Sequence, residues 1–305
     1  MALYNGMQEL IGNTPIVNLK NLNKELGNNL FANLELYNPS GSVKDRTGAY
    51  MIADAEEKGL LKEGSTIVEA TAGNTGLGIA FAALSKGYRI VFVVPTKFSV
   101  EKQQLMRALG AEIINTPREE GMLGAAKKAE DLLKEIPNST ALRQFKNQSN
   151  PLAHYETTGP EIYKDLNGNI DYIVMGAGSG GTFSGVVKYL KEQNPEIKAV
   201  LADPEGSSMG GGEHHDYNIE GIGNDFIPET MDISLVDSVI KVNDDEAFAG
   251  SRELACKEGI LAGSSSGAVY AAAKKLCQSV KNKNIVIVLP DRGDRYFSTG
   301  LWEKR

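Results

Sequence analysis

The chain is poor in the residues that build metal centres and covalent frameworks: among 305 residues it has two cysteines, three histidines and one tryptophan. Cys256 and Cys277 fall in helix-like segments without a C-x-x-C spacing, so neither a disulfide framework nor a zinc site is expected, and both read as buried or incidental thiols. His154, His214 and His215 are too few and too scattered for a metal cluster. Positive charge is also scarce. With 32 basic and 39 acidic residues the formal charge is −7 and the pI near 5.2, which argues against nucleic acid or an anionic membrane as partner, since either asks for a basic face. Long hydrophobic runs are missing: "IVFVVP" is strand-length, and "MALYNGMQELIGNTP" lacks the basic start and apolar core of a signal peptide. The expectation is a cytoplasmic protein of small-molecule chemistry. Its 41% hydrophobic and 23% charged residues are ordinary for a globular fold, and the length suffices for two lobes or one large α/β domain.

What is present is alternation. Short β-branched runs are followed by longer amphipathic or alanine-rich ones: "STIVEA" then "NTGLGIAFAALSKG", "RIVFVVP" then "SVEKQQLMRALG", "AEIINTP" then "GAAKKAEDLLKEI", "DYIVMG" then "TFSGVVKYLKEQ", with "NIVIVLPD" closing the series. This pattern builds βαβ units around mostly parallel sheets with helices on both faces. Ligands bind such sheets where strands end and helices begin. A composition change near "IPNSTALRQFKNQSNP" reads as a crossing between lobes, and the glycine-rich "SSMGGGEHHDYNIEGIG" as a long functional loop.

Three loops carry chemistry. In "NPSGSVKDR" the turn residues Asn38 to Gly41 lead into a segment that Ser42 and Asp45 open in the manner of a capping box, making Lys44 an early helical residue. Positive partial charge at a helix start, and burial, both favour the neutral amine, which is a nucleophile. In "GAGSGGT" a strand runs into a helix start, a cradle of backbone N–H groups suited to phosphate. Gly176, Gly178 and Gly181 also satisfy G-x-G-x-x-G with Asp203 downstream, so an NAD-dependent dehydrogenase competes. "EATAGNTGLG" offers Thr71, Asn74, Thr75 and helix-start amides to a carboxylate. The dinucleotide reading explains only the second loop. Pyridoxal phosphate explains all three, with a lysine for the Schiff base, a glycine cup for the phosphate and an amide-rich loop for an amino-acid carboxylate.

"IGNTPIVNL", "NPSGSVKDR", "TAGNTG", "HYETTGPEI", "GSGGT", "EGIGNDFIP", "GILAGSSSGA" and "PDRGDRY" occur in an order that resembles the cysteine synthase and cystathionine β-synthase family of fold-type II pyridoxal phosphate enzymes. The resemblance implies a two-lobed, tryptophan synthase β-like α/β fold, with residues 1–40 and 146–305 forming the larger cofactor-anchoring domain and 41–145 a smaller mobile substrate-loop domain. It implies that Lys44 carries the cofactor, Asn74 bonds its phenolic oxygen, Gly178, Ser179, Gly180, Gly181 and Thr182 hold its phosphate, and Ser265 faces its pyridine nitrogen. Thr71, Ala72, Gly73, Asn74 and Thr75 with Gln144 would bind the substrate carboxylate, and Gly221 to Gly223 would lie beside the cofactor. A hydroxyl opposite the ring nitrogen makes a weak electron sink, which favours expulsion of a β-substituent, with Lys44 taking the α-proton. The implied activity is β-replacement through an aminoacrylate, releasing hydrogen sulfide from L-cysteine with formation of L-serine or a thioether. Alternatives are cysteine synthase and cystathionine β-synthase using serine or O-acetylserine with homocysteine, or a non-catalytic relative that binds a partner. A homodimer is implied, and Asp232, in preference to Asp225, would take a proton from the incoming nucleophile. Ala72 and Asn33 depart from the family's frequent serine and lysine, and "PTKFSVEKQQLMRALGAEIINTP" resembles a bacterial subgroup with acetylserine-dependent and sulfide-releasing members.

Overall fold

In the computed structural model, which describes residues 3–96 and 98–303, the strands divide between two sheets. The larger has the order β1 (Ile16–Asn18), β2 (Asn29–Leu34), β10 (Asn284–Leu289), β7 (Tyr172–Gly176), β8 (Lys198–Pro204) and β9 (Ser238–Val242). Only the β1–β2 pair is antiparallel in it, and β10 lies in parallel register with β2, Ile285 opposite Leu30. The smaller is wholly parallel, in the order β5 (Glu112–Thr116), β4 (Arg89–Pro95), β3 (Thr66–Ala70) and β6 (Ser139–Thr140). Lys97 of the subgroup stretch lies outside the described residues.

Strands buried on both faces need apolar cover on both. On the larger sheet one face packs under α1 (Lys20–Leu26), α9 (Asp244–Glu258) and α10 (Ser264–Ser279), the other under α7 (Gly159–Asp165) and α8 (Gly181–Gln193), with the short α6 (Ser149–Ala153) against α8. On the smaller sheet α2 (Lys44–Glu57), α3 (Asn74–Ala82) and α4 (Val100–Ala108) cover one face and α5 (Gly121–Glu135) the other. The helix α3, "NTGLGIAFA", is apolar or small all round and is accordingly buried almost throughout its length. It lies against α2 with no side chain between: a Cβ on Gly48 would meet the Gly78 carbonyl, and one on Gly78 the Lys44 carbonyl. Backbone-to-backbone contact thus sets the start of α2 beside the start of α3. From Glu205 to Asp232 the chain forms neither helix nor strand, the long loop that its glycines announced.

Candidate active site

Lys44 is the first residue of α2, as the turn chemistry before it requires. Gly41 N–H donates to the Asn38 carbonyl at 2.7 Å, with Gly41 at φ +88°, and Val43 N–H donates to Pro290 O at 2.8 Å. The expected capping box is not formed. Asp45 instead accepts from Ser40, through its backbone N–H at 2.7 Å and through its hydroxyl, because the turn folds back over the helix end and brings Ser40 nearer than Ser42. Burial pushes the Asp45 carboxyl up to about 6 despite those bonds. One residue on, Arg46 is fully buried and forks between Glu35 (2.9 Å from Nε and from Nη2) and Glu161 (2.8 Å from Nη1, 2.6 Å from Nη2), fixing the first turn of α2. Desolvation drives the Lys44 amine below its ordinary pKa, opposed by the carboxylates of Asp291 and Glu35.

Lys44 lines a small cavity, about 40 Å³, together with the β7–α8 turn, Gly178, Ser179, Gly180 and Thr182, and with Gly221 and Ile222. The carbonyls of that turn are engaged from outside: Gly178 O accepts from Asn224 Nδ2 and Ser179 O from the Thr230 hydroxyl, each at 2.5 Å. First-turn amides of a helix have no acceptor within it, so those of α8 are left for a ligand. Side-chain hydroxyls add to this. Ser179 Oγ accepts from Asn150 Nδ2 at 3.0 Å, and Thr182 Oγ1 lies 3.1 Å from Nε2 of His154. Burial takes His154 down to about 3, so it is a neutral structural imidazole.

Outside the lining of that cavity, Thr75 Oγ1 donates to Gln144 Oε1 at 2.6 Å, joining two of the expected carboxylate-binding groups; Ala72, Gly73 and Asn74 are half-buried and Thr71 is buried. Ser265 is buried in the first turn of α10, next to Ser264, whose hydroxyl accepts from Glu220 N–H at 3.1 Å. Asp232 departs from expectation. Its side chain is exposed and caps a short turn, accepting from Ser234 N–H at 3.0 Å and Ser234 Oγ at 2.6 Å, so the desolvated cleft assigned to it is not there; Asp225 is exposed too. Its neighbour Met231, however, packs on Gly180 of the cup. Asp203 takes no part: it is buried, with Oδ2 bound to Lys241 Nζ at 2.6 Å and to Gly210 N–H at 3.0 Å. The sequence reading missed Asp291 and Arg295, which bind Asn74, and Asn150, which backs the cup.

Among the described residues no group of histidine, cysteine, aspartate and glutamate is disposed to hold a metal, and no helix is long and apolar enough to cross a membrane. Cys277 is buried and Cys256 exposed, both free thiols. A desolvated lysine and a helix-start cup lining one cavity fit a phosphate-bearing aldehyde, which needs an amine for its carbonyl carbon and backbone amides for its phosphate. The class defined by this fold and site is that of lysine-anchored pyridoxal enzymes. A family profile described as pyridoxal-phosphate dependent enzyme matches residues 7–291, and the chain belongs to that family. It is 50% identical over 304 residues to the O-acetylserine dependent cystathionine beta-synthase of Bacillus subtilis (strain 168), covering 99% of each chain. It is 45% identical to a cysteine synthase of Helicobacter pylori, over 99% of this chain and 100% of that one. Among solved structures, a hydrogen sulfide-producing enzyme from Fusobacterium nucleatum superposes with a TM-score of 0.93 at 42% identity, covering 97% of this chain and all of the other. Membership sets the dehydrogenase reading aside, in keeping with the buried, ion-paired Asp203.

Proposed function

We propose that the protein catalyses β-replacement on amino acids of the cysteine and serine type, with L-cysteine as first substrate, hydrogen sulfide as leaving group, and water or a thiol as second nucleophile. The observation that carries the reading is Lys44, its amine pushed below its ordinary pKa by burial, lining one cavity with the cup. Bound pyridoxal phosphate supplies the electron sink that acidifies the substrate Cα–H and loosens the Cβ–sulfur bond. The α8 amides and the Ser179 and Thr182 hydroxyls hold the phosphate. Thr71, Ala72, Gly73, Asn74, Thr75 and Gln144 clamp the substrate carboxylate and so orient its Cα–H toward Lys44 Nζ, which takes the proton. Ser265 offers the ring nitrogen a hydroxyl, which cannot stabilise a full positive charge there. Asp232, one residue after the Met231 that packs on the cup, accepts the proton of the incoming nucleophile. In this reading residues 41–145 close on the substrate, the chain works in the cytoplasm, and two copies pair as a dimer.

Acetylserine-dependent thioether or cysteine synthesis is the second reading, favoured by the 50% identical Bacillus subtilis relative. The deciding experiment loads the protein with pyridoxal phosphate and compares rates on L-cysteine alone, on O-acetylserine with sulfide, and on O-acetylserine with homocysteine. Fastest sulfide release from cysteine supports the first reading; fastest consumption of acetylserine establishes the second. Borohydride trapping of the cofactor on a lysine other than Lys44 overturns both.

A further inference from the structure

Asn74 is held by two side chains from a turn more than two hundred residues away. Arg295 Nη1 stands 2.8 Å from Asn74 Oδ1, and Asn74 Nδ2 stands 2.7 Å from Asp291 Oδ2. A guanidinium has only donors and a carboxylate only acceptors, so both contacts dictate one orientation of the Asn74 amide, oxygen to Arg295 and nitrogen to Asp291. One N–H of Nδ2 is thereby consumed and the other is left for a ligand.

The turn that does this is itself rigid and buried. Asp291 is 1% exposed, and its Oδ2 also accepts the Tyr296 hydroxyl at 2.6 Å. Its Oδ1 is buried with no hydrogen-bond partner among the described residues. A buried carboxylate oxygen left unpaired is costly, so stability does not explain its presence. Arg295, 4% exposed, donates through Nη2 to Ser40 O at 2.8 Å, tying the same turn to the loop that delivers Lys44. Gly41 makes room for this: a Cβ there would come within 2.5 Å of Arg295 Nη2.

We infer that Asp291 and Arg295 are positioning residues that lock the Asn74 amide so that its free N–H is presented to the phenolic oxygen of the cofactor. The inference rests on the proposed cofactor chemistry but concerns residues that chemistry does not name. It is tested on the pyridoxal-loaded protein with Asn74→Ala, Asp291→Ala, Asp291→Asn and the double variant Asn74→Ala with Asp291→Ala. The readouts are the visible absorption maximum at fixed pH and the dissociation constant of the cofactor. Asp291→Ala should move the maximum in the direction that Asn74→Ala moves it and weaken retention about tenfold, as for a lost oriented hydrogen bond. The double variant should be no worse than Asn74→Ala alone. Asp291→Asn, which keeps an acceptor oxygen for Asn74 and Tyr296, should stay near wild type; it also serves if the alanine variant does not fold. An unchanged maximum in Asp291→Ala, additive effects in the double variant, or full loss in Asp291→Asn would overturn the inference, the last because charge rather than position would then be decisive. A wild-type protein that binds no pyridoxal phosphate would instead refute the functional reading.

Discussion

Replacing Gly78 by alanine puts one methyl group where α3 touches the backbone of α2. The new Cβ would stand 2.6 Å from the carbonyl carbon of Lys44 and 3.1 Å from Asp45 N. Non-bonded carbon pairs settle at about 3.5–4.0 Å, so the helices must part by about 1 Å. Inside an unobstructed helix the same change would stabilise by about 1 kcal/mol, and overpacking costs about 1–3 kcal/mol, so a net loss of up to about 2 kcal/mol is expected. The effect on turnover should be larger. A displacement of about 1 Å in a reacting group costs on the order of a hundredfold in rate, and Lys44 is the residue pushed. Urea unfolding and steady-state turnover of the cofactor-loaded variant measure the two separately. A variant as stable and as active as wild type would refute the claim that bare backbone contact places the lysine.

Asp232→Asn keeps the turn cap, since asparagine caps as well as aspartate, and removes the charge; sulfide release with water as nucleophile should fall about tenfold or more while exchange of the substrate α-proton with solvent persists. Unchanged serine formation would remove Asp232 from the mechanism. Arg46→Met leaves Glu35 buried without its cation and should destabilise by about 3–5 kcal/mol in urea unfolding, and a loss under about 1 kcal/mol would show that the network contributes little. For Asp45 the pKa is raised in the fold, to about 6, so the native state holds more protons than the unfolded chain between roughly pH 4 and 6. Stability should therefore drop as pH rises through that window, by about 3 kcal/mol, and Asp45→Asn should flatten the slope there; equal slopes would contradict it.

The βαβ series was legible because its strands are short runs rich in Val and Ile: "TIVEA", "RIVFVVP", "YIVMG" and "NIVIVL" all fold as read. Strand β2 was not, since "NLFANL" carries Asn29 and Asn33, and Asn33 is buried with its Nδ2 donating to Thr14 Oγ1 at 3.0 Å. Lys44 stood out through local turn chemistry, whereas the bond from Asn74 to Asp291 spans 217 residues and has no local signal. The surroundings of Asp232 were hidden for a related reason: the sequence shows acids near a glycine motif, and only the folded chain shows Asp232 exposed and capping the turn at Ser234.

Strand β10, made from residues 284–289, lies between β2 and β7 at the middle of its sheet. A chain emerging during synthesis can complete the four-stranded sheet from residues 66–140 by itself, but the six-stranded sheet has a gap at its centre until the final segment arrives. Contacts of such sequence separation form slowly, because the loop they close must first lose its freedom. Until then the edges of β2 and β7 stand open, so a truncation that removes β10 leaves two unpaired parallel edges prone to association and takes Val288 from the cavity wall.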